Sequence, residues 1–303
     1  MTLDVGRLVL VRGGNEAGAG FSAMEAVAFA AGEAWSERPR CASPTITEWM
    51  IAWNDGLDDR ARQELRRYIW RLVGSKGTPA QERARRWMAA DWLVRGYASA
   101  WLEAADLLPE AQWLSRLQVV RGPRDIADAD VACFAAARSA REARDAAWRQ
   151  AADSSSGVFD WNTAGAVWSA VADATWAAAG SAARSVVWSS TDASGPGSSD
   201  ARLWDAASDA AADAAASLAW RAVHRGFLTA GARGDVDVTD PDDLWGPAQA
   251  TAEQALAPTG GALQASAHIV VERMLAVTEA HQPTARLFDA ARPHRHHRLP
   301  RRR

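Results

Sequence analysis

The sequence predicts an all-α fold, with room for one short strand near the N-terminus. Three observations lead to this prediction. Helix-capping residues recur along residues 22–116, alanine makes up about a third of residues 127–225, and a single segment has the composition of a strand. Because alanine has the highest helix propensity of all residues, a chain with 69 alanines among its 303 residues favours long helices.

The N-terminal elements are predicted from an apolar run and from helix caps. The apolar segment 7–12 predicts one short strand, followed by a glycine-rich loop. Ser22 with Glu25 three residues later has the pattern of a capping box, which predicts that a helix begins there. A proline in the first helical turn loses no hydrogen bond, so Pro44 and Pro79 each predict the start of another helix.

Long alanine-rich helices are predicted between residues 125 and 226. One buried methyl group contributes only about 0.8 kcal/mol, whereas a buried tryptophan removes roughly 150–250 Å² from water. We therefore predict that indole rings, rather than methyl groups, hold these helices together. Spacings of 7 and 8 residues place Trp161, Trp168 and Trp176 on one helical face.

The C-terminal part predicts two further helices, at 243–257 and 262–280, after an acidic loop. The predicted organisation has three regions, which differ in composition. They are a helical N-terminal domain at 1–120, an Ala/Trp-rich helical array with its closing helices at 121–280, and a disordered Arg/His-rich tail at 281–303.

Charge and cysteine content narrow the class of protein. The formal net charge of −3 excludes a globally basic nucleic-acid binder. Two cysteines cannot build a disulfide framework, and the N-terminal apolar run is too short for a signal peptide. We therefore predict a cytoplasmic protein with no membrane segment, and no residue pattern predicts a cofactor or a metal site.

The C-terminal tail carries five arginines and no acidic residue over its last eleven positions. One interpretation is nucleic-acid binding, because arginines attract phosphates irrespective of base sequence. The alternative is a solvated tail that aids solubility. The arginines concerned are Arg295, Arg298, Arg301, Arg302 and Arg303.

Polar residues in the N-terminal domain form the candidate site for chemistry. A helical hairpin could bring its carboxylates together for acid–base work or for a divalent cation. The alternative is that these residues cap helices and fix turns. No histidine precedes His224, so no Cys–His dyad can form within this domain. The candidates are Glu25, Glu33, Glu37, Cys41, Asn54 and Asp55.

The glycine-rich loop at 12–20 allows a phosphate-loop hypothesis, because it lies between a predicted strand and a predicted helix. It lacks the lysine that follows the glycines of a P-loop, and it does not match the dinucleotide-binding pattern. The loop therefore gives only a weak indication of phosphate binding.

Four short motifs carry a resemblance to known proteins: Met-Glu-Ala at 24–26, Gly-Glu-x-x-Ser at 32–36, Cys-x-Ser-Pro at 41–44 and Trp-Asn-Asp at 53–55. With the Ala/Trp-rich middle and the closing helix ALQASAHIVVERML, about two-thirds of the chain resembles an uncharacterised family of bacterial and phage proteins, of actinobacterial type. That family has no established activity, so the resemblance implies organisation rather than chemistry. Its members often have Cys where this chain has Ser22, which argues against a catalytic thiol there.

The sequence therefore predicts a non-enzymatic helical interaction or scaffold protein that binds a protein partner. In composition alone it is also similar to Ala-rich immunity proteins encoded beside toxins, so a phage or toxin-immunity setting is expected. The alternative is an enzyme, or a small-ligand or metal-binding protein, whose site lies among the N-terminal polar residues. Tryptophan is strongly enriched in binding hot spots. The predicted partner-binding residues are Trp161, Trp168, Trp176, Trp188, Trp204 and Trp220.

Overall fold

A computed structural model of the chain describes residues 5–13, 20–154, 161–175, 178–191, 199–233 and 245–277. Most of these residues are helical and none of them forms a β-strand, which confirms the all-α fold. The α-helices are, in chain order, α1 (Ala23–Ala30), α2 (Pro44–Gly56), α3 (Asp59–Arg62), α4 (Ile69–Leu72), α5 (Pro79–Asp91), α6 (Ser99–Ala104), α7 (Leu108–Arg116), α8 (Ile126–Ser154), α9 (Trp161–Thr175), α10 (Ala178–Thr191), α11 (Ser199–Arg233) and α12 (Trp245–Leu275).

Short segments of tighter or wider helix join some of these elements. The 3₁₀ segment Gln63–Tyr68 connects α3 to α4, and the π-helical segment Trp92–Ala98 connects α5 to α6, so each pair forms a continuous rod. Two more 3₁₀ segments, Val5–Arg7 and Pro123–Asp125, precede α1 and α8. None of the described helices combines the length with the apolar composition that would let it cross a bilayer.

The predicted strand at 7–12 is wrong, because side chains rather than a second strand satisfy its backbone. The Leu10 N–H donates to Gln63 Oε1 at 2.8 Å, and Gln63 Nε2 donates to the Leu10 carbonyl at 2.9 Å. The Val11 N–H donates to the Phe21 carbonyl at 2.9 Å beside an isolated bridge. With no second strand among the described residues, the Gln63 amide supplies the two hydrogen bonds that a neighbouring strand would give.

The predicted helix caps are present. Ser22 and Glu25 form a reciprocal capping box at the start of α1. The Ser43 side chain accepts the hydrogen bond from the Ile46 N–H, ahead of the proline that begins α2. After α4 the chain turns at Gly74 with a φ of 76°, a conformation that favours glycine. The starts of α1 and α2 and the end of α4 are therefore set by nearby capping side chains and by a glycine.

Large aromatic side chains fill the core of the N-terminal half. Trp49, Trp53, Trp92 and Trp101 are fully buried. The Trp49 ring packs edge-on against Trp53 and Trp92, with centroids 6.4 and 5.5 Å apart. Edge-to-face pairs of this kind stabilise a core beyond the area that they bury.

Alanine lines the contact between α8 and α11, which is the most extensive helix pairing in the described part of the chain. Ala132, Ala136 and Ala140 are buried on α8, and Ala207 and Ala214 are buried on α11. Small side chains let the two backbones approach closely, so that many short dispersion contacts replace the packing of bulky groups. We call this contact the alanine seam.

Fewer tryptophans of the middle helices are buried than predicted. Trp204 and Trp220, both on α11, are buried, but Trp168 on α9 and Trp188 on α10 are exposed. Between α8 and α11 both kinds of group contribute: alanines fill the alanine seam, and Trp148 on α8 packs edge-on against Trp220 on α11, with ring centroids 4.8 Å apart. The prediction that rings rather than methyl groups provide the adhesion is therefore only partly correct.

Both predicted domains contribute to one hydrophobic cluster. Across the predicted boundary near residue 120, α2 packs against α10 and α7 contacts α8. The division into domains stays a prediction. The tail expected to be disordered, 281–303, lies outside the described residues.

The helix α12 is continuous, although Pro258 lies inside it. The predicted pair of helices at 243–257 and 262–280 is therefore wrong. Proline removes one backbone hydrogen bond, and the glycines after it weaken a helix further. Buried Leu256 and Leu263 lie on either side of the proline, and packing against α9 and α11 keeps the two parts in one helix.

Candidate functional site

Two of the six N-terminal candidates, Glu25 and Asn54, meet at the start of α1. Glu25 is buried, and its Oε2 accepts a hydrogen bond from the Ser22 N–H at 2.7 Å. Its Oε1 accepts a second one from Trp35 Nε1 at 3.1 Å. Buried Asn54 reaches the same helix end, where its Oδ1 accepts from the Ala23 N–H at 3.2 Å. The Ser22 and Ala23 N–H groups at the start of α1 therefore already donate to protein side chains.

Asn54 and Asp55 also hold the chain before the glycine-rich loop. Asn54 Nδ2 donates to the Val11 carbonyl at 3.0 Å and to Asp55 Oδ1 at 3.1 Å. The Gly13 N–H donates to the same Asp55 oxygen at 2.9 Å. Residues 14–19 of the loop lie outside the described residues. The two sides of the loop are therefore fixed by α2, which is the arrangement of a structural clasp.

Glu33 and Cys41 lie together at a separate turn. Glu33 Oε2 accepts from the Arg40 N–H at 2.6 Å, and its Oε1 accepts from the Cys41 N–H at 2.8 Å. These bonds, that from Arg40 foremost, hold the pKa of Glu33 below its ordinary value of 4.5, and the Cys41 thiol donates to it as well. A carboxylate held in its charged form is suited to fixing a turn rather than to proton transfer near neutral pH.

Glu37, the sixth candidate, covers Gly13. Its Oε1 lies only 1.7 Å from the position that a Cβ would take on that glycine, so a larger residue there would displace the carboxylate. Every one of the six candidates thus has a structural contact. The alternative hypothesis of chemistry at these residues stays a prediction.

A cluster of aromatic side chains around His268 was not predicted from the sequence. Its ring packs on Tyr68 and Trp53, with centroids 5.8 and 4.6 Å apart. His268 Nδ1 and the Tyr68 hydroxyl share a hydrogen bond at 2.8 Å, and Trp53 Nε1 donates to Gln264 Oε1 at 2.8 Å. Burial, followed by the charge of Arg67, lowers the pKa of His268 below 6.5. About 200 residues separate the partners in sequence, so no local pattern could reveal them.

A cavity of about 310 Å³ opens between the end of α9, the start of α10 and the middle of α12. Its walls are mostly alanine, glycine and leucine. The residues that bring polar side-chain atoms to it are Tyr97, Asp173, Glu253 and Gln264. We call it the α9–α12 cavity. Its size lies at the lower end of the range typical of small-molecule sites.

An aromatic surface is formed by the last part of α8, by α9 and by the first turn of α12. We call it the indole face and define it as Trp148, Trp168 and Trp245. The Trp168 and Trp245 side chains are 42% and 39% exposed. Trp148 and Trp168 both pack edge-on against buried Trp220, with centroids 4.8 and 6.4 Å from it.

Neighbouring groups fix the orientation of the two exposed rings. The Arg144 guanidinium lies 6.0 Å from the centroid of the Trp168 ring. The Trp245 ring lies over Gly165, where a Cβ would come within 2.7 Å of it, and its Nε1 donates to Gln249 Oε1 at 2.9 Å. Exposed rings that are held in one orientation lose little entropy when a partner covers them.

The predicted partner-binding tryptophans therefore have different environments. Trp168 and Trp188 are exposed, whereas Trp204 and Trp220 are buried. Trp220 supports the Trp168 ring from beneath, and Trp204 packs near Trp87 instead. The side chain of Trp161, the whole of Trp176 and all five tail arginines lie outside the described part of the chain. Exposed Trp245 was not predicted, because it is isolated in the sequence and only the fold brings it to α9.

Within the described residues, no group of three or more His, Cys, Asp or Glu side chains is placed to hold a metal ion. Comparison of the chain with known protein families, with curated proteins and with solved structures gave no match. The resemblance to a bacterial and phage family stays a prediction, and any function has to be argued from the residues themselves.

Proposed function

We propose that this protein is a non-enzymatic interaction protein that binds a partner protein through the indole face. The observation that carries the proposal is the pair of exposed but oriented rings, Trp168 and Trp245. Tryptophan is among the residues most enriched in binding hot spots, because one ring buries a large area with few rotatable bonds.

The support beneath the rings favours this proposal. The Trp168 ring is braced by Trp220 from below and by Arg144 across its face. A hot spot of this kind needs little reorganisation before it binds, so most of the burial free energy contributes to affinity. Single exposed apolar residues of the described chain, such as Trp70 and Trp113, need no functional explanation.

Charged side chains beside the indole face provide the polar surround of such an interface. Arg144 donates to Asp213 at 2.5 Å and to Asp145 at 2.7 Å, and Arg141 lies 3.6 Å from Asp213. Burial raises the pKa of Asp213, and the charge of Arg144 opposes that change. An apolar centre with charged groups at its edge is the usual anatomy of a protein–protein interface, in which the charges contribute to partner selection.

The test removes both rings together. Full-length wild-type protein and the double variant W168A/W245A serve as baits for affinity capture from the native host. The captured protein is then purified, and its binding to each bait is measured by titration calorimetry. We expect the double variant to bind at least about 30-fold more weakly, since one hot spot contributes about 2 kcal/mol or more.

The matched control is W113A, which removes an exposed tryptophan on α7, away from the indole face. It should retain the partner with unchanged affinity, and thermal unfolding should show all baits folded. Equal binding of the purified partner to the wild type and to W168A/W245A would contradict the proposal. So would capture in which the two baits retain the same set of proteins.

A further inference from the structure

The α9–α12 cavity has a charge pattern that indicates its ligand. Asp173 on α9 and Glu253 on α12 both line it and are both exposed, so their carboxylates lie at its solvent edge. The lining residues include no Arg, Lys or His. In the part of the chain that the structure describes, no basic side chain lies within ion-pair distance of either carboxylate; Glu253 accepts instead from Gln249 Nε2 at 2.9 Å.

The floor of the cavity offers few hydrogen-bond donors. The Tyr97 hydroxyl donates to the Thr175 carbonyl at 2.5 Å. Arg184 donates to the same carbonyl at 2.7 Å, and its guanidinium lies 6.0 Å from the centroid of the Tyr97 ring. The remaining walls come mainly from Ala174, Ala179 and Leu256 and their neighbours, which are apolar. A ligand anion would meet two carboxylates at the edge and find no free tyrosine proton at the floor, so an anion is disfavoured.

We propose that the α9–α12 cavity binds an organic ammonium ion. Its apolar body occupies the floor among the small side chains, and its ammonium group lies at the edge beside Asp173 and Glu253. A cavity of about 310 Å³ has room for an aromatic or aliphatic group of modest size. Placing the charge at the open edge keeps it partly hydrated, so binding avoids the large cost of burying an ion.

This site is separate from the indole face. The cavity is reached from the end of α9, at Asp173, whereas the indole face uses Gly165 and Trp168 nearer its start. Different side chains carry the two proposals, although Gln249 joins them, since it accepts from Trp245 Nε1 and donates to Glu253 Oε1, each at 2.9 Å.

The first test compares three probes of matched shape on the full-length protein. They are 2-phenylethylammonium, its neutral counterpart 2-phenylethanol and the anion 3-phenylpropanoate. Titration calorimetry and thermal-shift measurements give the affinity of each at low salt. We expect the cation to bind about tenfold more tightly than the alcohol and the anion to show no binding, with the preference falling as salt is added.

The second test changes the cavity itself. The double variant D173N/E253Q should lose the preference for the cation over the alcohol, while D128N, an exposed carboxylate change on α8, should retain it. G260L places a side chain where glycine lines the cavity, and a Cβ there meets no atom within 4 Å. It should abolish binding of both probes. G246L, at an equally open glycine of the same helix outside the cavity, is its control.

Three results would overturn the proposal. They are no binding of 2-phenylethylammonium to the wild type, equal binding of the cation and the alcohol, and an unchanged preference for the cation in D173N/E253Q. If G260L does not fold, the double variant still decides, because both of its substitutions are at exposed positions.

Discussion

Glu82 is a single buried charge that fixes three segments of chain. Its Oε2 accepts hydrogen bonds from the Ser43 hydroxyl at 2.6 Å and from the Thr45 N–H at 3.3 Å, both at the start of α2. Its Oε1 accepts from the Gly77 N–H at 2.9 Å and from Arg85 at 2.6 Å. A buried carboxylate with this many donors is well compensated for the loss of water.

Arg85 extends the same network to the C-terminal helix. Its Nε donates to the Met274 carbonyl in the last turn of α12 at 2.9 Å, and its guanidinium also donates to the Ser75 carbonyl at 2.9 Å. A cation at the end of a helix is stabilised by the helix dipole. One ion pair therefore joins the start of α2, the body of α5 and the end of α12.

We predict that E82Q lowers the free energy of unfolding at pH 7 by about 3–5 kcal/mol, because it leaves a buried arginine without its carboxylate. Burial raises the pKa of Glu82, but hydrogen bonds, first those from Ser43 and Thr45, outweigh that and leave it below 4.5. The stabilisation is thus present above pH 4.5 and is lost as the pH falls through the lowered pKa of the folded state. Urea unfolding at pH 7 and below pH 4.5 measures both effects.

The gap in unfolding free energy between wild type and E82Q should narrow at the lower pH. The control is E142Q, an exposed change on α8, which should stay within about 0.5 kcal/mol of wild type. An equal gap at both pH values would show that the carboxylate charge is not what stabilises the fold.

At the scale of elements, the alanine seam explains how two long helices pack closely with mostly small side chains between them. The helix α11 has buried alanines around much of its circumference, such as Ala214, Ala215 and Ala216, which point about 100° apart in succession. Such a helix has no single apolar stripe, because it is covered by α8, α6, α9 and α12 on different sides. The stability of this region depends on close fit rather than on the area of any one residue.

We predict that A140L, in the alanine seam, lowers the free energy of unfolding by about 1–3 kcal/mol, although leucine and alanine both favour helices. Ala140 is fully buried, so the larger side chain forces α8 and α11 apart. The matched control is A146L, the same change at an exposed position of the same helix, which should be nearly neutral. Chemical unfolding of the three proteins compares them; an equally stable A140L protein would show that the seam is loosely packed.

At the scale of the whole molecule, α12 joins the two ends of the described chain. His268 packs on Trp53 and Tyr68, Arg71 forms an ion pair with Glu272 at 2.5 Å, and the Trp92 indole donates to Ser266 at 3.0 Å. Contacts between residues so distant in sequence have a high entropic cost of loop closure. Burial of the aromatic rings in this interface offsets that cost.

We predict that acid weakens this interface through His268. Burial, and then Arg67, lower its pKa below 6.5, so the unfolded chain takes up the proton more readily than the folded one. Stability is therefore complete above pH 6.5 and is lost as the pH falls from there towards the lowered pKa. The difference in unfolding free energy between the wild type and H268N should be larger at pH 8 than at pH 5.5.

The other charges that face this histidine do not obscure the measurement. Glu64 and Glu272 are carboxylates, and the contact with Arg71 holds the pKa of Glu272 below 4.5. Glu272 therefore stays ionised between pH 5.5 and 8. Thermal unfolding across that range measures the effect, and parallel curves for the two proteins would contradict the assignment to His268.

The helix starts could be predicted because their determinants are local. The residues that cap a helix lie within one turn of the backbone N–H groups that they bond, as at Ser22, Glu25 and Ser43. Pro44 lies in the first turn of α2, where no backbone N–H is needed. The strand at 7–12 could not be corrected from sequence, since its hydrogen-bond partner, the Gln63 amide, is set by the fold. Local propensity indicates which conformation a segment favours, but not which neighbouring group provides its hydrogen bonds.

The N-terminal polar residues show the same division. The cap formed by Glu25 was one of the alternatives that the sequence offered, and the structure shows it. The clasp that Asn54 and Asp55 make around the glycine-rich loop depends on α2 lying beside α1, and no spacing along the chain indicates it.

The sequence by itself determined that the chain is helical and where its early helices begin, because alanine propensity and caps act within a few residues. Only the tertiary structure decided which tryptophans are buried, that α12 continues through Pro258, and that Trp245 lies beside α9. These features depend on packing between residues far apart in sequence. In a chain so rich in alanine the helices have few distinctive faces, and their neighbours are fixed by the fit of the whole molecule.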